Sequence, residues 1–518
     1  MLTEALVGVP ECPDTSGRGG GISQSTLVYL HTLKSLNKIQ TGWLVALVYT
    51  VFAIVMLLFM DGMFMDGVLY SAVSRNMALG NGTFWNPSFS QTIHTPFHEQ
   101  PPFMLWFQSL FFTVFGTENI YPERIYCLLF LVLTVWAMAA FWNKITQDKT
   151  TTWWPVLLFL ITPTISWGFI NNVMENTMSL FDIVAVYFIY RYMAEDKKGA
   201  FLLPAVLFTF LASFSKGIPG LFPIAVPVVY SWCIERKILS KKAFIGGAVL
   251  LLSLIGIYLL LIQIPAAKES YVLYFKSRFP NFPNTPHSNT GNRLQLLQNL
   301  LQELAMPLGL IAFLALANYL HKKPDYISKA NKPKALFFLL VAFSASLPIM
   351  VSYEQRGFYL NTSMPYFAMA MALAFAPLTG AFEGVSIKFI NGFKALLLLA
   401  FIVGIGLTAV KAGRPKRDAD KLAAVEAIKK FVPKGSVVYC NNELWMDWSL
   451  HNYLQRFGEI SLSQKEPAPY SLYIQLKIDK TPVPDNYMLH DKGCEWLDVY
   501  VWVDTFKSDV KLEIVKPR

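Results

Sequence analysis

The stretch MDGVLYSAVSRNMALGNGTFWNPSFSQTIHTPFHEQPPFMLW, from Met65 to Trp106, decides how this chain reads. It lies between two apolar runs and gathers Asp66, Tyr70, Arg75, His98 and Glu99 in an otherwise oily protein. Asp66, Tyr70, Val73 and Met77 recur at helical spacing, so one face of a helix carries them. Gly80 and Gly82 are expected to stop that helix, and Asn81, Asn86 and Pro87 mark the turns that follow. Pro101 and Pro102 suit the first turn of a second helix, where a missing amide donor costs little. The stretch is therefore expected to form one wall of an active site, with acidic side chains brought to two helix ends.

Working outward, the composition sets the class. The 518 residues are 54% hydrophobic and 15% charged, with mean hydropathy +0.40. Apolar residues come in runs long enough to cross a bilayer, so the chain reads as an α-helical polytopic membrane protein. The formal net charge of +10 is placed in loops between those runs rather than in a patch for a polyanion, and no nucleic-acid partner is implied.

Eleven spans are predicted, near 43–60, 124–142, 153–170, 177–193, 200–214, 217–234, 243–262, 299–320, 335–351, 360–379 and 393–410. Alternate loops are rich in Lys and Arg, from Lys34 and Lys38 through Arg236, Lys237, Lys241 and Lys242 to Lys388 and Lys394. By the positive-inside rule that side is cytoplasmic. The alternation requires the apolar segment 101–116 to lie in the outer interface as part of a first outer loop, 61–123. Residues 1–42, with Gly17, Gly19, Gly20 and Gly21, read as a disordered cytoplasmic tail. Residues 43–410 form the membrane domain, and 411–518 alternate helix and strand patterns, as a small outer α/β domain would.

Other polar groups fall on the same outer side. Glu175 and Asn176 open the fourth span, either as helix-start residues or as part of a site. Asp182, on the same helical face, lies at a depth where a carboxylate faces the bundle or a cavity. Lys216 stands alone before a Gly-Ile-Pro-Gly turn, as a snorkelling lysine or as a cation for an anionic headgroup. The loop 263–298 carries Arg278, His287 and Arg293 among aromatic residues suited to a flap. Glu354, Arg356 and Tyr359 precede the tenth span. Glu118, Glu123 and Arg124 are read as structural ion pairs at a helix start. Cys440 and Cys494 share the outer domain, where an oxidising compartment permits a disulfide without requiring one. No Cys/His metal spacing occurs; clustered carboxylates leave a divalent metal open, and no other cofactor is implied.

Five segments in order carry a family resemblance: MDGVLYSAVSRNMALGNGTFWNP, HEQPPFMLWFQSLFFTVFG, the Glu175–Asn176 loop, SKGIPG and RGFYLNTSMPYFAMA. The order resembles that of the GT-C superfamily of membrane glycosyltransferases, especially the lipid A aminoarabinose transferases and the dolichyl-phosphate-mannose protein mannosyltransferases. The resemblance implies a GT-C fold with interfacial helices in the first outer loop, in a bacterial inner membrane. It further implies an inverting transfer of a sugar from a polyprenyl-phosphate carrier to a lipid, glycan or protein acceptor, on the periplasmic face. Asp66 matches the family's essential acid and Glu175 a second acidic, catalytic position. Tyr70, His98, Glu99, Lys216, Arg278, Arg356 and Tyr359 are the residues expected to bind substrate. The sequence departs from the family at Gly67, where an acid is common, at Leu69 for an arginine, and at Gln100 for a lysine, so Lys216, Arg278 and Arg356 would supply the positive charge.

Two other classes compete. A transporter or flippase of lipid-linked glycans would show an internal repeat and charges deep in several spans, whereas Asp182 is the main charge at depth. An inactive glycan-binding relative would be consistent with Gly67 and Gln100 but not with intact Asp66, Glu99, Glu175 and Lys216.

Overall fold

The computed structural model describes residues 39–195, 199–278, 294–321, 326–351, 355–380, 385–430, 432–465, 472–478, 482–494 and 497–502. Most of the expected N-terminal tail, His287, Arg293, Glu354 and the side chain of Arg278 lie outside that description; from Ile39 the chain is already helical.

Among the described residues, eight helices are long and apolar enough to cross a membrane alone: Ile39–Phe59, Pro122–Thr146, Gly199–Lys216, Ile218–Glu235, Lys241–Leu261, Gln295–Leu320, Lys332–Met350 and Ile387–Lys411. Trp153–Leu160 and Pro163–Ile170 make a ninth if taken together, bent by 72° where Pro163 starts the second half. The chain is thus a multi-pass membrane protein. Two of the eleven predicted spans are not among these helices. Met174–Ala194 is long enough, but it carries Glu175, Asp182 and Arg191 and is buried on nearly every side by its neighbours. The segment 360–379 divides into the 3-10 turn Gly357–Thr362, the helix Met364–Ala374 and a second 3-10 turn, Ala376–Gly380. An apolar run signals burial against protein as readily as burial in lipid, and sequence alone does not separate the two. Lys241–Leu261 and Ile387–Lys411, by contrast, bury only 17% and 11% of their apolar windows inside the protein, leaving the rest for lipid.

The first loop folds as expected. Met65–Ala78 is helical and ends before Gly80, whose φ of +81° closes the turn. Phe103–Phe115 begins after Pro101 and Pro102 and is too short to span. Beyond the last membrane helix lies a five-stranded sheet: β1 Val437–Cys440, β2 Ser461–Ser463, β3 Leu472–Leu476, β4 Tyr487–Cys494 and β5 Leu497–Trp502, in the order β2-β1-β3-β5-β4. β1 runs parallel to β2 and β3, while β5 is antiparallel to β3 and β4. Cys440 is a free, buried thiol. The side chain of Cys494, the other member of the candidate disulfide, lies outside the described residues.

Helix Trp448–Gly458 of this region clamps the first loop. Tyr453 Oη accepts from Met63 N at 2.9 Å and donates to Met63 O at 3.0 Å, and Asn452 Nδ2 donates to Met65 O at 2.9 Å. The charges read as local ion pairs find distant partners instead. Glu123 meets Arg456 at 2.9 Å, Arg124 meets Asp61 at 2.8 Å, and Glu118 meets Arg75 at 2.8 Å. Arg75, first grouped with the active-site wall, also binds Glu459 at 2.7 Å and serves this joint. Fully buried Arg456 further donates to the carbonyl of Asn119 at 2.6 Å and stacks over Phe112. Removing one member of such a pair strands the other charge. Glu123→Ala is therefore expected to destabilise the folded protein by about 3–5 kcal/mol, read as a lowered unfolding midpoint of the detergent-purified chain; an unchanged midpoint would show the joint to be dispensable.

Candidate active site

The site is set by how closely the Asp66 helix approaches the turn at 171–172. Phe64 N donates to Asn171 Oδ1 at 2.8 Å just before the helix begins. One turn of backbone later, Gly67 lies against the Asn171 carbonyl so closely that a Cβ would overlap it. Asn172, in the left-handed region at φ 52°, donates through Nδ2 to Gly67 O at 3.1 Å and Ser71 Oγ at 3.0 Å. Its Oδ1 accepts from Gln108 Nε2 at 2.7 Å. Helix Met174–Ala194 starts two residues further on, with Glu175 in its first turn. One turn of chain therefore fixes both acidic residues.

Glu175 is 1% exposed and its Oε1 lies 2.6 Å from Lys216 Nζ. The carboxylate sits at a helix N-terminus and the ammonium at the C-terminus of Gly199–Lys216, so each charge opposes its helix dipole. Gly217, at φ +91°, ends the lysine's helix, and the Tyr274 hydroxyl fills the place where a side chain would stand. Lys216 Nζ also lies 5.1 Å from the centre of the Tyr359 ring, a cation–π contact. Asp66, half-buried, is held above its ordinary range at about 6. Burial is the main cause; Lys216 and Arg356 pull it down, while Glu175 and Glu99 push it up. Asp66, Glu99, Glu175, Lys216, Arg356 and Tyr359 thus form one electrostatic group.

Tyr70 is buried one turn after Asp66 on the same helix. His98 is turned elsewhere. It is 7% exposed, its Nδ1 lies 3.2 Å from Ser270 Oγ, its carbonyl accepts from Ser277 Oγ at 3.2 Å, and burial lowers its pKa. A buried neutral imidazole so placed docks the helix Pro265–Arg278 over the loop. That helix is the start of the flap expected over 263–298; Tyr271 and Tyr274 lie in it, against Trp85 and Gly217. Glu99 points to His94 at 3.6 Å. Asp182 is fully buried, and neither of its oxygens is hydrogen-bonded among the described residues.

Several supporting groups lie outside the sequence reading. Glu303 Oε2 accepts from Thr164 N at 2.6 Å, and the Asn361 amide bridges Thr164 Oγ1 at 2.6 Å and Asn176 Oδ1 at 3.2 Å. A single acid in the apolar run of 299–320 was the available signal for Glu303; nothing in sequence spacing points to Asn172 or Gln108. Phe64, Trp167 and Phe358 make an aromatic wall beside Asp66, with ring centres 5.2–5.9 Å apart. Among the described residues no three His, Cys, Asp or Glu side chains gather to hold a metal ion.

The fold is shared with solved membrane proteins. Residues 99–259 match the family model described as dolichyl-phosphate-mannose-protein mannosyltransferase. The apo structure of ArnT from Cupriavidus metallidurans is similar at TM-score 0.58 and 14% identity, covering 89% of this chain and 98% of that one. The same protein bound to undecaprenyl phosphate is similar at TM-score 0.58 and 13% identity, covering 94% and 100%. The apo oligosaccharyltransferase of Archaeoglobus fulgidus has a TM-score of 0.49 at 12% identity, over 82% of this chain and 64% of that one. A sequence search of curated proteins finds no match.

Gly67 has no room for a side chain, because the Asn171 carbonyl occupies the place of a Cβ. Gly67→Ala is expected to cost about 1–3 kcal/mol by overpacking and to move Asp66 away from Glu175. The check is a thermal unfolding curve; a midpoint equal to wild type would show that the turn gives way freely.

Proposed function

We propose that this protein is an inverting glycosyltransferase that moves a sugar from a polyprenyl-phosphate carrier to a hydroxyl acceptor. The observation that carries the reading is the Lys216–Glu175 pair at 2.6 Å, set beside Asp66 and Tyr359 within a GT-C fold. The acceptor oxygen attacks the anomeric carbon as the bond from that carbon to the phosphate oxygen breaks. The hydroxyl proton passes to the Asp66 carboxylate, and polyprenyl phosphate departs with the bonding electrons. One displacement from the opposite face inverts the anomeric configuration.

Each group has a role that its surroundings support. With its pKa near 6, Asp66 is ionised at neutral pH yet basic enough to accept a proton. Lys216 and Arg356 face the negative charge that develops on the leaving phosphate. Glu175, covered and held to the ammonium, positions Lys216. Tyr359 orients the same lysine from its ring face, and the wall of Phe64, Trp167 and Phe358 suits the apolar start of the carrier chain. Tyr70 and Glu99 border the sugar, with Arg278 at the end of the covering helix. The relative solved with undecaprenyl phosphate supports a carrier of that class. The Lys and Arg bias of the loops supports an inner-membrane orientation with the N-terminus cytoplasmic and the site on the periplasmic side.

Release of free polyprenyl phosphate from polyprenyl-phosphate sugars tests this directly. Asp66→Asn is expected to slow release by about 10²–10⁴-fold, while undiminished release would remove Asp66 from the chemistry. The pH profile gives a separate check. Because burial raises the Asp66 pKa, its charged form is lost at higher pH than for an ordinary aspartate. The kcat/KM of the wild type should therefore fall as pH drops through about 6; a profile flat down to pH ~4 would exclude Asp66 as the base.

A further inference from the structure

The far end of the Asp66 helix opens on a cavity of about 660 Å³. Its walls come from the last turn of that helix with the 81–96 segment, from the helix Pro265–Arg278, and from the C-terminal region. Asn81, Asn86, Gln91, Gln455, Glu269 and Glu459 line it with Ser and Thr hydroxyls; the residues lining it include no Lys, Arg or His, and Pro96 is their one apolar side chain. Cross-bonds brace the walls: Gln91 Nε2 donates to the Gly435 carbonyl at 2.7 Å, and Gln455 Nε2 to Ser461 Oγ at 3.1 Å. Asn86 Oδ1 is buried with no hydrogen-bond partner among the described residues.

This lining selects a chemistry. Amides and hydroxyls both donate and accept, as sugar hydroxyls require. Glu459 is already paired with Arg75 at 2.7 Å, and the lining adds the Glu269 carboxylate with no cation of its own among the described residues, which disfavours phosphate or another anion. An acyl chain or a peptide anchored by apolar side chains would find one wholly apolar side chain, Pro96, to pack against, because the rest of the carbon surface belongs to side chains that end in polar groups.

We propose that the cavity binds the uncharged glycan part of the acceptor, an inference that rests on the transferase reading. Asn76, in its wall, follows Asp66 by ten residues on one helix, or ~15 Å along the axis. That is the reach of a short oligosaccharide rather than a single ring. The covering helix joins the two ends: Glu269 lines the cavity, and the next residue, Ser270, meets His98 beside Glu99. Distal sugars in the cavity would hold the chain while its terminal hydroxyl lies at Asp66.

The test is saturation-transfer NMR on the full-length protein in detergent with linear neutral trisaccharides: maltotriose, cellotriose, chitotriose and mannotriose. At least one should bind the wild type. Asn81→Leu combined with Asn86→Leu should weaken that binding by about tenfold, as expected from two neutral hydrogen bonds. Glu269→Lys, a second variant for the case in which the double one fails to fold, should weaken it as well. Binding of none of the four sugars, or binding that a folded variant leaves unchanged, would overturn the proposal. Polyprenyl-phosphate release is scored separately. Release without cavity-dependent sugar binding would discard the cavity and keep the transferase; sugar binding without release would do the reverse.

Discussion

The site depends on one steric constraint, the approach of the Asp66 helix to the 171–172 turn across Gly67. Because a backbone carbonyl occupies the place of a side chain there, the distance between the two chain segments is set by hard contact rather than by adjustable side chains. Asn171 and Asn172 then add hydrogen bonds on both sides of that contact. Asp66 and the Glu175–Lys216 pair are consequently parts of one rigid joint, although they are more than a hundred residues apart in the chain.

The buried charges divide into two sets by their surroundings. Arg75, Arg124 and Arg456 each have no exposed surface and each meets a carboxylate at 2.7–2.9 Å. Their charge is neutralised within the joint between the first loop, the second membrane helix and the C-terminal region. Around Asp66 the balance differs, since burial and two acids raise its pKa against two cations. A carboxyl left so poised costs stability and suits a group that must change its protonation state. The proton-transfer role proposed for Asp66 rests on that imbalance.

The C-terminal sheet contributes through one helix. Trp448–Gly458 carries Asn452 and Tyr453 to the start of the Asp66 helix and Arg456 to the next membrane helix. Gln455, from the same helix, lines the polar cavity. The C-terminal region is thus braced against the first loop on one side and open to a cavity on the other.

Much of the architecture was legible in the chain. Helical spacing placed Asp66 and Tyr70 together, glycines marked the helix end at Gly80, and the hydropathy runs located the membrane helices, because these properties depend on neighbours a few residues away. The ordered motifs resembled those of GT-C proteins, and the chain has the fold of the ArnT structures. What tertiary structure alone decided was which apolar runs face lipid and which face protein, as for Met174–Ala194 and Met364–Ala374. It also decided which polar group meets which: Glu123 with Arg456, Arg75 with Glu459, His98 with Ser270. Those choices depend on contacts across hundreds of residues, and local sequence holds propensities but not the distances that make one partner, rather than another, satisfy a buried charge.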